Sequence, residues 1–227
     1  MTETTKRILV VGASRGTGAE VVRRLLEEGH EVTAFSRRPA PPTHPRGRTF
    51  AGDATDAGDV SRAVAGHDAV VVTLGIAENP LRVRLFGTSG TPLDVRSTGT
   101  RHVIAAMRAH GVRRLVVLTS YGVGETRARL RLPERMLFSL LLRPQIDDTE
   151  IQQRLVTESD LDWTVAQPVH LTDAEEDPAP FESFEGDTDR MDVSRRSVAR
   201  FLARACVTPA LAGRCVALSA PSVAKAA

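Results

Sequence analysis

Lysine is nearly missing from this sequence of 227 residues, because Lys6 and Lys225 are the only two lysines among 30 basic residues. The remaining basic residues are all arginines, an imbalance that we attribute to codon bias. The formal net charge is only +2, so nothing in the composition calls for a nucleic-acid partner. Aromatic residues are scarce as well, with one tyrosine and one tryptophan, which excludes a strongly aromatic substrate pocket.

The two cysteines, Cys206 and Cys215, have no histidine or cysteine cluster around them to complete the roughly four ligands of a structural zinc site. We therefore expect no metal site, and two isolated thiols favour a reducing compartment. The first residues show no apolar signal segment before the first strand. We expect a cytoplasmic protein without an integral membrane segment.

Length and periodicity predict one α/β domain. Short apolar runs that suit strands buried on both faces alternate with segments whose apolar residues recur at helical spacing. The predicted strands are 8–11, 32–35, 49–51, 69–74, 115–118, 163–166 and 215–218, and the predicted helices are 19–26, 56–65, 94–110, 145–159 and 194–206. This alternation implies right-handed crossovers and a doubly wound parallel sheet of the Rossmann type, in a single domain over residues 1–227.

A glycine-rich turn, V-V-G-A-S-R-G-T-G-A-E, joins the first predicted strand to the first helix. Gly12 allows a tight turn and Gly18 allows the helix to pack close to the strand. The helix N-terminus between them offers free N–H groups and a positive dipole end to a pyrophosphate. Glycines alone are common in loops, but here a strand precedes them and a helix follows. We predict a dinucleotide site at Gly12, Ser14, Arg15, Gly16, Thr17 and Gly18.

The end of the second strand indicates which dinucleotide is bound. A site that prefers NAD carries an acidic residue about 20 positions after the glycines, whereas this chain has Ser36-Arg37-Arg38. Arg37, helped by Arg15 or Arg38, can form charge-assisted bonds to a 2′-phosphate, so we expect NADP(H). The alternative is a solvated pair of surface arginines. Further along the cofactor we expect Asp53 and Ala54 near the adenine, and Leu74, Gly75 and Ile76 near its middle.

With these residues placed, the chain resembles the atypical short-chain dehydrogenases, the NAD(P)-binding group that contains biliverdin-IXβ reductase (a flavin reductase) and NmrA-like proteins. The resemblance covers nearly the whole chain. It rests on the glycine turn and on V-T-A-F-S-R-R, G-D-A-T-D, A-A-M-R-A-H-G-V-R-R-L-V-V-L-T-S, S-D-L-D-W-T and R-R-S-V-A-R-F-L. Arg15 departs from the pattern, because it stands where the group usually has a glycine. This departure favours a 2′-phosphate.

Two further stretches are assigned from the resemblance alone. Thr119 and Ser120 match a T-S pair at the end of the fifth strand of the flavin reductase, which implies that Ser120 lies near the nicotinamide. Pro168, Val169 and His170 match its proline-then-histidine loop after the sixth strand, which implies that His170 faces the substrate. The group's usual arginine before this proline is Gln167 here.

The main short-chain enzymes use a tyrosine with a lysine four residues later, because a nearby cation lowers the tyrosine pKa from its usual value of about 10. Tyr121 is the only tyrosine of this chain, and four residues later stands Glu125, an anion. Lys6 precedes the first strand and Lys225 lies in the tail, so neither is expected to reach the site. We predict that the Tyr–Lys mechanism is absent.

A reductase without a dedicated acid needs an acceptor that is easily reduced, such as a flavin, a quinone or a conjugated tetrapyrrole. Ser120 is a candidate to orient the nicotinamide or to bond a substrate carbonyl, and His170 is a candidate proton donor. The alternative interpretation, with equal weight, is that Ser120 only caps a strand end and that His170 is a loop histidine. We predict an NADPH-dependent oxidoreductase. The alternatives are a non-catalytic NADP(H)-sensing protein like the NmrA-type regulators, or an epimerase or isomerase of this fold.

The substrate side is expected between residues 120 and 190. It includes an apolar segment from Met136 to Leu142, which the flanking Pro133 and Pro144 predict to be a short helix, too short for a bilayer span. Four roles stay open for this helix: packing on the sheet edge, a lid, an oligomer interface or a peripheral membrane contact. The candidates for stacking on a planar substrate are Phe138, Phe181 and Phe184.

Overall fold

A computed structural model gives the fold, and it describes residues 5–41, 43–75, 90–129, 143–176 and 178–222. The predicted helix from Met136 to Leu142, with Phe138, and the predicted cofactor residue Ile76 lie outside the described residues. Among the helices of these ranges, none combines the length and the apolar character that crossing a membrane requires.

The described residues form one sheet of eight strands in the order β3-β2-β1-β4-β5-β6-β10-β8. These strands are β1 (Arg7–Val11), β2 (Glu31–Ser36), β3 (Gly47–Ala51), β4 (Ala69–Val72), β5 (Arg114–Leu118), β6 (Asp162–Pro168), β8 (Phe181–Ser183) and β10 (Arg214–Ser219). All neighbours pair in parallel except β10 and the edge strand β8. Two short strands, β7 (His170–Thr172) and β9 (Asp192–Ser194), form a separate parallel pair. The predicted doubly wound parallel sheet is confirmed, with an antiparallel edge strand added.

Helices cover both faces of the sheet. They are α1 (Gly16–Glu27), α2 (Ala57–Val64), α3 (Val95–His110), α4 (Arg143–Thr157) and α5 (Arg195–Val207), with two short 3-10 helices at Gly124–Arg129 and Pro209–Leu211. Alternate residues of each strand point to opposite faces. Val10 and Val116 therefore pack under α1 and α5, whereas Leu9 and Val117 pack under α2, α3 and α4. The two buried cores explain why the strands are apolar at every position.

Two element boundaries differ from the sequence prediction for identifiable reasons. Helix α1 begins at Gly16 and not at residue 19, since its first turn, with the buried Thr17 and Gly18, packs against the sheet despite the low helix propensity of glycine. Strand β4 ends at Val72 and not at residue 74, and the carbonyl oxygen of Leu74 instead accepts a hydrogen bond from the guanidinium of Arg96 at 2.7 Å.

The strand order reverses between β1 and β4, because β2 and β3 lie on one side and β5 and β6 on the other. In open α/β sheets, ligands bind at the carboxyl ends of the strands beside such a reversal. The turn after β1, residues 73–75 after β4, residues 119–121 after β5 and residues 169–173 after β6 all lie at this carboxyl edge. The fold thus gathers the predicted site residues at one edge.

Candidate cofactor and active site

The turn between β1 and α1 requires glycine at two positions. Gly12 has a φ of +90°, and a Cβ there would lie 2.9 Å from the carbonyl oxygen of Thr73. A Cβ on Gly18 would collide with the carbonyl oxygen of Gly12 and would lie 2.6 Å from the Thr73 hydroxyl oxygen. The turn is held to β2 by hydrogen bonds from the amides of Gly12 and Ala13 to the carbonyl oxygen of Phe35, at 3.0 and 3.2 Å.

The first turn of α1 is open to solvent and to an anion. Ser14, Arg15 and Gly16 are exposed, and Arg15 is the N-cap residue without a side-chain cap bond. No acidic residue occurs in this first turn. The free N–H groups and the positive end of the helix dipole therefore point to the carboxyl edge uncompensated, which suits a pyrophosphate group.

Basic and hydroxyl side chains lie at the end of β2, where an adenosine ribose would be bound. Arg37 donates hydrogen bonds to the hydroxyl of Thr91, at 2.8 Å, and to the carbonyl oxygen of Gly90. The Ser36 hydroxyl is buried and has no hydrogen-bond partner within the described ranges, and Arg38 is exposed. The end of this strand is therefore cationic, and it carries one buried hydroxyl group that makes no hydrogen bond to the described residues.

Asp53 lies near this cationic end. Its carboxylate accepts hydrogen bonds from the amide and the hydroxyl of Thr55, at 2.9 and 2.8 Å. These bonds, and more weakly the charge of Arg37, hold the pKa of Asp53 below its usual value. The neighbouring Ala54 is buried. Asp53 is thus an ionised group whose carboxylate already accepts hydrogen bonds from Thr55, two residues later in the same turn.

Arg96 lies beside the turn after β4, a placement that the sequence interpretation missed. Its guanidinium donates to the Leu74 carbonyl oxygen at 2.7 Å, and a Cβ on Gly75 would lie 3.3 Å from its Nη2 atom. The buried Asp148 of α4 accepts from the backbone amides of Arg96 and Ser97, at 3.0 and 3.1 Å. Burial lowers the pKa of Arg96, and Asp148 opposes this change. No local pattern could indicate the contact between Asp148 and the start of α3, since residues 96 and 148 are far apart in the sequence.

Strand β5 continues past its last paired residue toward the expected nicotinamide position. The amides of Thr119 and Tyr121 donate to the carbonyl oxygens of Ala166 and Pro168, each at 2.9 Å. Thr119 is buried, and its hydroxyl points inward to Gln153 and Ala166. Ser120 is half-buried at the edge, where its hydroxyl donates to the Tyr121 carbonyl oxygen at 3.1 Å.

The expectation that residues 167–170 form a loop is wrong. Strand β6 runs through Pro168, Val169 is buried and its amide donates to the Leu218 carbonyl oxygen, and His170 begins β7. The His170 amide donates to the Met191 carbonyl oxygen at 3.2 Å, while its side chain is exposed. Pairing with β9 imposes this extended backbone. Ser120 and His170 therefore follow neighbouring strands at one edge of the sheet.

Gln167 and Tyr121 have buried hydrogen bonds to the backbone. Gln167 donates to the Val123 carbonyl oxygen at 2.8 Å and to the Gln153 side chain at 3.1 Å. Tyr121 is 6% exposed, and its hydroxyl donates to the carbonyl oxygen of Gly186 at 3.0 Å. Lys6 precedes β1 at the opposite edge of the sheet, and Lys225 lies outside the described residues.

The strand order, the glycine turn and the open N-terminus of α1 define a Rossmann-type, dinucleotide-binding protein with an oxidoreductase-like fold. A family model described as NAD(P)H-binding matches residues 12–209. The chain belongs to this NAD(P)H-binding family. Within the part of the chain that the structure describes, no group of three or more His, Cys, Asp or Glu side chains is placed to hold a metal ion.

A curated relative, the 3-beta-hydroxysteroid dehydrogenase of Mycolicibacterium neoaurum, is 48% identical over 73 residues, which are 32% of this chain and 20% of that protein. The match thus spans about a fifth of the relative's length. A short-chain dehydrogenase/reductase of Veillonella parvula solved in complex with NADP has a TM-score of 0.78 at 17% identity, covering 96% of each chain.

ChuY, an anaerobillin reductase from Escherichia coli O157:H7, has a TM-score of 0.74 at 21% identity, covering 96% of this chain and 98% of its own. At identities this low, the structural similarity establishes a shared fold alone. The family match confirms the NAD(P)-binding family that the sequence motifs predicted, and these structures share its fold.

Proposed function

We propose that this chain is an NADPH-dependent reductase that transfers a hydride to a flavin, a quinone or another conjugated carbonyl compound. The observation that carries the proposal is the buried hydroxyl of Tyr121, which donates to Gly186. The only tyrosine of the chain is thereby held in a backbone contact, and the residue four positions later is Glu125 and not a lysine. An acceptor that takes a hydride without a strong acid fits this site best.

The choice of NADPH over NADH rests on the end of β2. A 2′-phosphate there would meet Arg37 beside the buried Ser36 hydroxyl, which has no hydrogen-bond partner among the described residues, and no carboxylate follows the strand directly. A guanidinium and a hydroxyl both donate hydrogen bonds to phosphate oxygens. Arg38 and Arg15, both exposed, add positive charge nearby. The same position in an NAD site would present an acidic side chain to a ribose hydroxyl.

Ser120 and His170 are the side chains that we assign to the reacting end. A cofactor held here would supply the hydride, and one proton would complete the two-electron reduction of the acceptor. The Ser120 hydroxyl orients the nicotinamide or bonds an acceptor carbonyl, and the exposed His170 delivers the proton directly or through water. The half-buried Phe181, which pairs with Ser219 at the end of β10, offers a face for a planar acceptor, whereas the ring of Phe184 lies under the guanidinium of Arg214 at the start of that strand.

The experiment is a spectrophotometric assay of NADPH oxidation with a panel of acceptors. FMN, FAD, a benzoquinone and biliverdin are compared with a saturated aldehyde and a saturated ketone. We expect oxidation with conjugated acceptors and none above background with the saturated compounds. A 3β-hydroxysteroid is assayed with oxidised cofactor, because of the 73-residue match to such a dehydrogenase.

Stoichiometric NADPH binding with no oxidation by any acceptor would overturn the reductase proposal and would support an NADP(H)-sensing protein. Preferential turnover of the saturated carbonyls or of the steroid would also overturn it, because those reactions need a dedicated acid or base.

A further inference from the structure

Arg195 and Asp173 are held side by side by the short β7–β9 ladder. The ladder ends at the pair of Thr172 with Ser194, so Asp173 and Arg195, the next residues along the chain, leave it side by side. The Arg195 Nη1 atom lies 2.7 Å from the Asp173 carboxylate. Arg195 is also the first residue of α5, whose N-terminus lies at the carboxyl edge of the sheet. The ion pair therefore stands at the edge where the cofactor binds.

The Arg195 side chain lies against the first turn of α1. A Cβ built on Gly16 would lie 3.6 Å from its Nε atom and 3.8 Å from its Cδ atom. Gly16 is exposed and is the first residue of the helix that presents its free N–H groups to a phosphate. A fixed cation thus lies beside the predicted pyrophosphate position, and it comes from the opposite end of the chain.

The two partners of this ion pair differ in exposure. The Asp173 side chain is 89% exposed, whereas that of Arg195 is 28% exposed. The guanidinium is therefore held in place by the fold, and the carboxylate reaches it from solvent. An ion pair with one partner so exposed contributes little free energy, so Arg195 can exchange Asp173 for a better anion at small cost.

We propose that Arg195 is a further ligand of the cofactor pyrophosphate, and that Asp173 occupies its guanidinium until the cofactor binds. The α1 N-terminus presents N–H groups to one side of the pyrophosphate, and Arg195 presents a planar guanidinium to another. Phosphate oxygens match a guanidinium in geometry and in charge. On binding, the phosphate replaces the Asp173 carboxylate as the acceptor.

This assignment rests on the dinucleotide site and is independent of the choice between NAD and NADP. The pyrophosphate is common to both cofactors, so a change at Arg195 acts on both affinities alike. Arg37, by contrast, is assigned to the 2′-phosphate, which only NADP carries. Titration with both cofactors therefore separates failure of this inference from failure of the proposed NADP preference.

The test measures the dissociation constants of NADP⁺ and NAD⁺ by calorimetry. We expect Arg195→Gln to raise both constants about tenfold, the effect of one lost hydrogen bond to a charged group. Asp173→Asn should lower both constants by about two- to fivefold, because the competing anion is gone. The salt dependence of binding should also become shallower in Arg195→Gln, since one charge contact is missing.

Two matched variants are the controls. Arg196→Gln removes the same charge from the next residue of α5, but Arg196 donates to the carbonyl oxygen of Glu175 at 2.8 Å. Asp160→Asn removes an exposed carboxylate that pairs with Arg108 just before β6, at the opposite edge. Both should leave the constants nearly unchanged. Arg195→Lys keeps a cation and should lose less affinity than Arg195→Gln.

The inference is overturned if Arg195→Gln and Arg196→Gln weaken binding equally, because general charge would then explain the effect. An effect on NADP⁺ alone would also overturn it, since it would place Arg195 at the 2′-phosphate. If Arg195→Gln fails to fold, the Asp173→Asn and Asp160→Asn pair decides, and equal affinities in those two variants count against the proposal.

Discussion

The hydroxyl of Tyr121 donates a hydrogen bond to the carbonyl oxygen of Gly186, 3.0 Å away in a buried position. This contact joins the segment after β5 to the segment after β8, on the two sides of the expected substrate region. The only tyrosine of the chain therefore links these two segments through its hydroxyl group.

Tyr121→Phe should leave turnover with a conjugated acceptor within about twofold of wild type, because the variant lacks only a structural hydroxyl. It should lower the free energy of unfolding by about 0.5–1.5 kcal/mol, the usual contribution of one hydrogen bond. Steady-state kinetics and urea denaturation measure the two effects. A fall in kcat of about a hundredfold or more would identify the tyrosine as a general acid and contradict the proposed mechanism.

Arg37→Asp should weaken NADPH binding by about 10- to 100-fold and change NADH binding little. The variant replaces a cation that donates hydrogen bonds to the 2′-phosphate with an anion that repels it. Arg101→Asp is the matched control, since it makes the same change of charge at an exposed residue of α3 that is assigned no role in binding the cofactor. Fluorescence titration with both cofactors gives the affinities. Unchanged NADPH affinity in Arg37→Asp would show that the 2′-phosphate assignment is wrong.

Gly18→Ala should abolish detectable cofactor binding and lower the free energy of unfolding by about 1–3 kcal/mol. The added methyl group would meet the Gly12 carbonyl oxygen and the Thr73 hydroxyl, and the backbone atom cannot yield without moving the phosphate turn. Gly90→Ala is the control, because no atom of the described residues lies within 4 Å of a Cβ built there. Full NADPH affinity in Gly18→Ala would contradict the close approach of α1 to β1.

The thiol of Cys206 predicts a loss of stability in alkali. Burial raises its pKa from the ordinary 9.0 to about 12, so the folded protein keeps the proton where the unfolded chain releases it. The stabilisation is complete below pH 9 and is lost as the pH rises toward 12, at about 1.4 kcal/mol per pH unit. Urea denaturation of wild type and Cys206→Ala between pH 8 and 11 measures the two slopes.

A shallower slope is expected in Cys206→Ala, whatever the cost of the small cavity at neutral pH. Identical slopes would mean that Cys206 does not ionise differently in the two states. Because the other ionisable groups are the same in both proteins, only the difference between the slopes belongs to Cys206.

The layered sheet could be predicted because each apolar run satisfies a local requirement. A strand buried on both faces, such as 8–11 or 115–118, must be apolar throughout, and the positive φ at Gly12 needs glycine. These constraints are legible in a few adjacent residues. The cofactor assignment of Arg37, just after β2, could also be made from the sequence, because it depends only on the spacing of this residue from the glycines.

The rest of the site depends on contacts that no local pattern encodes. Arg96 reaches the turn after β4, and Asp148 caps α3 from a helix that begins much later in the chain. Strands β7, β8 and β9 have three residues each, too few for a periodic pattern. The extended conformation of His170 comes from its pairing with Asp192, a contact that the family resemblance, which implied a loop here, does not contain.

The carbonyl oxygen of Phe35 accepts hydrogen bonds from both Gly12 and Ala13, and Arg37 follows two residues later. The backbone whose N–H groups face the proposed pyrophosphate position and the backbone that carries the proposed 2′-phosphate ligand Arg37 are therefore bonded to each other. The spacing of the two anion positions is set in the folded protein before any nucleotide arrives. The two positions therefore form a preorganised site, and the protein loses little conformational entropy when a dinucleotide binds to both.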